Sequence, residues 1–212
     1  MKPVNHMKDS RPHSSDNKLP KRLVLLALPQ GAEAFEAAAF IDVFGWHNVI
    51  GAGTCRLITC SEEELVRLSF GQSICAQKLL AEARAADYDA LALPGGFGCF
   101  GYYADACREP YYCLIQAFAA QQKPIAAICT GAVVVANAGV LAGRRATVYS
   151  REPQWPAQIT ARGAIFENSP LVNDGNIITS QNPASAIPVA LELLELLTNA
   201  AERAYIQREM GF

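Results

Sequence analysis

Histidine is scarce: the chain has three, and His6 and His13 both stand in the first 20 residues, leaving His47 alone in the body. Apolar runs are short, and none approaches the ~20 residues that a membrane-spanning helix needs, so no membrane is expected as a partner. The first 20 residues lack the apolar stretch of a secretory signal and are rich in Ser, Asn, Pro, His and Lys, which reads as a disordered leader over 1–20. The seven cysteines are odd in number and form no C-x-x-C pair. That argues against a disulfide framework and suits a reducing, cytoplasmic setting. No His/Cys/Asp set has the spacing of metal ligands, and no G-x-G-x-x-G or phosphate-loop string occurs, so neither metal nor cofactor is expected. Excess positive charge is missing too. Net charge is −2, and six Lys or Arg against two Asp fall within residues 1–22, so the remainder is acidic. An acidic body offers no footprint for nucleic acid.

What is present is alternation. The chain is 212 residues long, 51% hydrophobic and 18% charged, a composition and length that suit one domain with a full core, here set at 21–212. Arg22–Leu28 is a nearly continuous apolar run, the mark of a strand buried on both faces. From Glu33 to Ile50 the apolar residues recur at helical spacing. Cys55–Cys60 is a second strand, and Glu64–Phe70 with Ser73–Ala76 reads as a hairpin turning at Gly71-Gln72. Tyr88–Leu93 and Pro124–Ile128 are further buried strands. Helices are expected over Asp105–Gln121, Thr130–Ala138 and Ser185–Thr198, with a short one from Ala200. Ala146–Tyr149 and Asn176–Thr179 complete the strands. Strands alternating with helices at this spacing predict an α/β fold with a mostly parallel sheet covered on both faces.

In such sheets ligands gather at the carboxyl ends of the strands. Three segments converge there: Gln30–Glu36, Pro94-Gly95-Gly96 and Ile128-Cys129-Thr130-Gly131. The last has the form of a nucleophile elbow, in which a buried strand meets a helix through one nucleophile and a glycine relieves the sharp turn. Cys129 would then face a helix N-terminus, which favours the thiolate. The plainer reading of Cys129, a buried inert thiol, fits most of the other six cysteines. Gly95 and Gly96 make either a tight turn or a pair of free N–H groups for an oxyanion. The loop Phe97–Asp105 is aromatic and glycine-rich, either a lid or a surface loop whose rings pack on the core.

The strings L-V-L-L-A-L-P-Q-G-A-E-A-F-E, D-Y-D-A-L-A-L-P-G-G, A-A-I-C-T-G-A, L-A-G-R-R-A-T and V-N-D-G-N-I-I-T-S together resemble the ThiJ/PfpI superfamily, which includes the Parkinsonism-associated protein deglycase. The likeness runs in order from about Arg22 to Thr198. It implies a flavodoxin-like three-layer α/β/α sandwich of the class I glutamine amidotransferase type, usually a homodimer. It also implies that the elbow cysteine lies against a carboxyl group from the loop after the first strand, and Glu36 holds that position. A protonated, desolvated Glu36 would donate to the thiolate and lower the Cys129 pKa, while Glu33 would support the loop or cap the helix. Many relatives place a histidine about twenty residues past the elbow, where this chain has Tyr149, a poor base at neutral pH but a hydrogen-bond donor. His47 stands eleven residues after Glu36 on one expected helix, a rise of about 16 Å, too far to replace it. A protease or amidotransferase of Cys-His type is therefore not expected.

The resemblance implies a cofactor-independent glyoxalase- or deglycase-like enzyme taking a small reactive carbonyl, with Cys129 as nucleophile and Glu36 as proton shuttle. The N–H groups of Gly96 and Thr130 would form the oxyanion site, and Tyr149 would touch substrate. A non-catalytic redox sensor, with oxidised Cys129 answered by Cys99 from the glycine-rich loop, is the rival; otherwise Cys99 packs into the core. A ligand-sensing domain of a regulator lacks appended DNA-binding helices. The rings of Phe35, Phe40, Phe44 and Trp46 exceed what one buried helix face needs, leaving some for a two-fold interface.

Overall fold

The first apolar run becomes β1 (Arg22–Ala27), whose last four residues are buried, as a strand covered on both faces requires. The computed structural model describes residues 22–212; the leader expected over 1–20 lies outside them. After β1 come α1 (Ala34–Val49), β2 (Cys55–Ser61), β3 (Leu65–Arg67), β4 (Ser73–Cys75), β5 (Lys78–Leu79) and β6 (Ala90–Leu93). The middle of the chain forms α2 (Tyr102–Ala106), α3 (Glu109–Ala120), β7 (Ile125–Ile128), α4 (Gly131–Asn137) and β8 (Arg145–Ala146). The remainder is α5 (Gln154–Ala161), β9 (Ile165–Phe166), β10 (Leu171–Asp174), β11 (Ile177–Ser180), α6 (Ala186–Leu197) and α7 (Ala200–Glu209).

Seven strands form one sheet in the order β10-β11-β7-β6-β1-β2-β5. All its pairs are parallel except β10 with β11. The chain builds outward from β1 through β2 to β5, then returns to lay β6 on the other side of β1. That reversal opens a crevice between the loops after β1 and β6, the place where open α/β sheets hold ligands. An isolated antiparallel bridge, Ala32 with Gly96, ties these loops together. Helices α1 and α6 pack on each other, α1 against β2 and α6 against β7 and β11, while α3 and α4 pack on each other and on β7. The result is a flavodoxin-like sandwich with helices flanking a mostly parallel sheet. Among the described residues no helix is long and apolar enough to cross a membrane.

Three local expectations need correction. The helix expected over Asp105–Gln121 is two helices, α2 and α3, separated at Cys107-Arg108. Pro110 lies in the first turn of α3, where its missing N–H costs nothing, so it starts a helix instead of continuing one. The strand expected over Ala146–Tyr149 stops at Ala146 and pairs with β9 in a separate two-stranded sheet. The Thr147 N–H is taken by the Thr179 hydroxyl at 2.9 Å, which ends the ladder there. The hairpin is present but shorter, β3 against β4, and β10 was not anticipated at all.

Candidate active site

Strand β7 delivers Cys129 into a sharp turn and α4 begins two residues later. Cys129 has φ +54°, the left-handed region that non-glycine residues rarely occupy and that functional turns tolerate when their surroundings hold them. The hold is visible. The Cys129 N–H bonds the Ser180 carbonyl at 2.9 Å, continuing the β7–β11 pairing past the strand end. At Gly131 a Cβ would stand 2.9 Å from the carbonyl oxygens of Leu93 and Pro94, so only glycine lets the helix start so close to β6. At Gly95 a Cβ would come within 3.0 Å of the Cys129 Cβ. The elbow thus needs glycine on both sides of Cys129.

Glu36, in the first turn of α1, is completely buried. Its Oε2 accepts the Gly95 N–H at 2.6 Å, while Oε1 is buried with no nitrogen or oxygen partner among the described residues. Glu36 and Cys129 interact side chain to side chain. Burial, reinforced by the nearby Glu33 charge, pushes the Glu36 carboxyl up to about 8, with the Gly95 N–H and Cys129 pulling the other way. At neutral pH Glu36 therefore carries a proton, and Oε1 is the oxygen free to hold it.

The thiol does not follow the sequence expectation of a lowered pKa. Burial pushes Cys129 up, the Glu36 charge adds to this, and the Thr130 N–H opposes it. Two groups this close titrate as a pair. The singly ionised pair, with a thiolate facing a protonated Glu36, is the nucleophilic form, and burial keeps its population small at neutral pH.

A cavity of about 390 Å³ opens over the sulfur, and Cys129, Gly96, Thr130 and Tyr149 are among the residues lining it. Gly95 does not line it; its N–H is committed to Glu36. The Gly96 N–H is also engaged, by the Thr130 hydroxyl at 3.1 Å. Three further lining residues, Glu152, Trp155 and Pro183, went unread in the sequence, because they come from separated segments with no motif, whereas Phe97, Gly98 and Tyr103 belong to the loop read as a lid or a surface loop. The rings of Tyr103 and Trp155 stack with centroids 5.0 Å apart. Burial pushes the Tyr103 hydroxyl up to about 12, with the Thr130 side chain opposing. Three larger grooves, of about 630, 680 and 440 Å³, lie elsewhere and contain none of the candidate residues.

The other sequence candidates scatter. Cys99 is exposed, in the short turn Gly98–Phe100, so it neither packs into the core nor lines the cavity. The loop that carries it divides its rings. Phe97 and Phe100 are exposed and cluster with Phe70, whereas Tyr102 is buried with its hydroxyl donating to the Pro94 carbonyl at 2.6 Å. Glu33 sits at the N-cap of α1 without a side-chain capping bond. His47 is fully buried and committed elsewhere. Its Nδ1 meets Glu202 Oε1 at 2.6 Å, and its Nε2 accepts the N–H groups of Thr54 and Cys55 at 3.0 and 3.2 Å.

A sequence model of the DJ-1/PfpI family matches residues 21–196. The chain is 34% identical over 127 residues to a protein of Methanocaldococcus jannaschii, covering 60% of each chain. It is 34% identical over 175 residues to protein DJ-1 homolog B of Arabidopsis thaliana, covering 81% of this chain and 37% of that protein. The chain thus spans less than two thirds of the length of either relative. The structure of oxidised DJ-1 from Toxoplasma gondii superimposes with a TM-score of 0.75 at 30% identity, covering 89% of this chain and 97% of that one. Relatives at lower identity include an isonitrile hydratase of Pseudomonas putida at 29%, over 88% of this chain and 79% of that protein. A deglycase of Pyrococcus horikoshii stands at 26%, over 73% of this chain and 90% of that protein.

Proposed function

The chain belongs to the DJ-1/PfpI family, and from that premise we propose that it is a cofactor-independent, cysteine-dependent enzyme acting on small reactive carbonyls, in the manner of a glyoxalase or deglycase. One observation carries the reading: a nucleophile held at φ +54° opens onto a cavity while a buried, protonated carboxylic acid lies against it. The deglycase and isonitrile hydratase among the relatives support an enzyme. With methylglyoxal the Cys129 sulfur bonds to the aldehyde carbon and the C=O π pair moves to oxygen. The proton leaving the Cys129–Glu36 pair goes to that oxygen, giving a hemithioacetal with nothing gained or lost. Glu36 then carries the proton of that carbon to the neighbouring carbonyl side, leaving a thioester of a 2-hydroxy acid that water releases. Thr130 N–H, already directed at the sulfur, holds the oxyanion, joined by the Gly96 N–H once the Thr130 hydroxyl turns away. Tyr149 orients the substrate.

Loss of methylglyoxal from purified protein tests this. Wild type should consume it, Cys129→Ser and Glu36→Ala should not, and Tyr149→Phe should lose much less. Wild type consuming no more than Cys129→Ser overturns the reading in favour of a sensor whose thiol is oxidised without turnover. The setting is cytosolic, in keeping with seven free cysteines, and the enzyme is a homodimer. Phe35 and Trp46, 54% and 38% exposed while Phe40 and Phe44 are buried, supply the apolar surface for the two-fold contact. Light scattering should report two copies at micromolar concentration; a monomer removes this part.

A further inference from the structure

Glu33 is out of place electrostatically. The residue is only 8% exposed, yet among the described residues its carboxylate has no hydrogen bond and no ion pair. Its electrostatic neighbours, Glu36 and Cys129, both carry negative charge when ionised. Burial pushes its carboxyl up from the ordinary range with nothing to offset it. A largely buried carboxylate without a donor is costly, and the Glu33 oxygens, unlike Glu36 Oε1, are not sealed off, so a donor arriving from outside can pair with them. Glu33 lines the cavity over Cys129, so what pairs with it enters there.

The rest of the wall agrees. Glu152 is the second charged residue lining the cavity, and among the described residues no Lys, Arg or His lines it. Arg151, its chain neighbour, makes no ion pair with it among the described residues. The stacked Tyr103–Trp155 pair lines the same cavity, with the Trp155 backbone N–H bonded to the Glu152 carbonyl at 3.2 Å. An aromatic face beside carboxylates attracts a compact cation through both the ring quadrupole and direct charge, and tryptophan is the strongest such ring. An anion entering the same space would meet two carboxylates and, among the described lining residues, no countercharge.

We infer that the cavity selects its substrate by charge, taking a carbonyl compound that bears an ammonium group, which lies between Glu33 and the Tyr103–Trp155 pair, and rejecting 2-oxo acids and phosphorylated carbonyls. This rests on the carbonyl reading of Cys129, but charge selection is measurable without turnover. The probes are two methanethiosulfonates of similar size, one ending in trimethylammonium and one in sulfonate. Each transfers its alkylthio group to a thiolate and releases methanesulfinate. Rates at Cys129, read by peptide mass spectrometry so that exposed Cys75, Cys99 and Cys113 do not interfere, are divided by each reagent's rate with 2-mercaptoethanol.

The wild-type ratio should favour the cation by at least ~10-fold, as expected for one or two carboxylates within a few ångströms at intermediate dielectric. Glu33→Gln should cut the ratio several-fold. Glu152→Gln, an exposed site with little folding risk, should cut it by less, and Glu209→Gln, remote from the cavity, should leave it alone. A ratio near one in wild type, or a ratio that neither Glu33→Gln nor Glu152→Gln moves, overturns the inference. Because labelling needs no catalysis, methylglyoxal turnover with an uncharged ratio defeats charge selection alone, and a strong ratio without turnover defeats only the enzyme.

Discussion

Cys60 and Cys129 make an instructive pair. Both are buried, and both stand at the carboxyl edge of one sheet, near the ends of β2 and β7. Burial is the sole influence on Cys60, and it pushes that thiol up to about 12. Cys129 is pushed up as well, but the Thr130 N–H acts on its sulfur, a proton-bearing Glu36 lies beside it, and a cavity opens above. Depth does not separate Cys60 from the cysteine proposed as the nucleophile. The difference is what the backbone turn places around the sulfur once water is gone.

The sharpest way to break this comparison is turnover. Cys129→Ser should abolish methylglyoxal loss, and Glu36→Gln should lower it by ~100-fold or more, the usual worth of a positioned proton carrier. Cys60→Ala should leave it unchanged. If Cys60→Ala matched Cys129→Ser, the elbow would have no special standing.

Alkylation by iodoacetamide is the next test. In the native protein Cys129 should react with a rate that climbs with pH as the Glu36–Cys129 pair loses its first proton, near the Glu36 value of about 8, while Cys60 stays unmodified. Glu36→Gln keeps a donor beside the sulfur and should preserve alkylation while losing turnover; Glu36→Leu removes the donor and should slow both. Equal alkylation in the Gln and Leu variants would show that the hydrogen bond does nothing for the thiolate.

Stability against pH is a third measure. Glu36 holds its proton up to about 8 in the folded chain, against an ordinary carboxyl value of 4.5. Between those values the unfolded chain has lost a proton that the native chain keeps. Stability from this group therefore falls as pH rises through that window and levels off above it, at about 1.4 kcal/mol per unit of pKa difference and a few kcal/mol in all. Glu36→Gln should flatten the slope seen in denaturant midpoints between pH 5 and 8. A wild-type curve already flat there contradicts a protonated Glu36. The smallest effect expected is Cys60→Ala itself, a loss of ~1 kcal/mol from a small packing defect, read as a shift in the same midpoint.

Much of this was legible in order of residues. Continuous apolar runs such as Val24–Ala27 and Ile125–Ile128 read as strands covered on both faces, because every side chain of so short a segment is hidden. Glycine at 131 beside Cys129 marks a turn too tight for any Cβ, and so the elbow is written locally. Other features depend on segments that meet only in the folded chain. Whether Cys99 lies in the core or outside is decided by how the Phe97–Asp105 loop seats Tyr102 beneath Pro94 and leaves Phe97 and Phe100 against Phe70. The proton on Glu36 comes from complete burial beside the Glu33 charge, against the pull of the Gly95 N–H. The thiol's upward push comes from the same desolvation, which no local string encodes. The carboxylate and aromatic wall over Cys129 joins Glu33, Tyr103, Glu152 and Trp155 across 123 positions of chain. Residue type and spacing set what a short segment must become, while solvent exclusion is a property of the assembled layers, and it is solvent exclusion that sets the charge of this site.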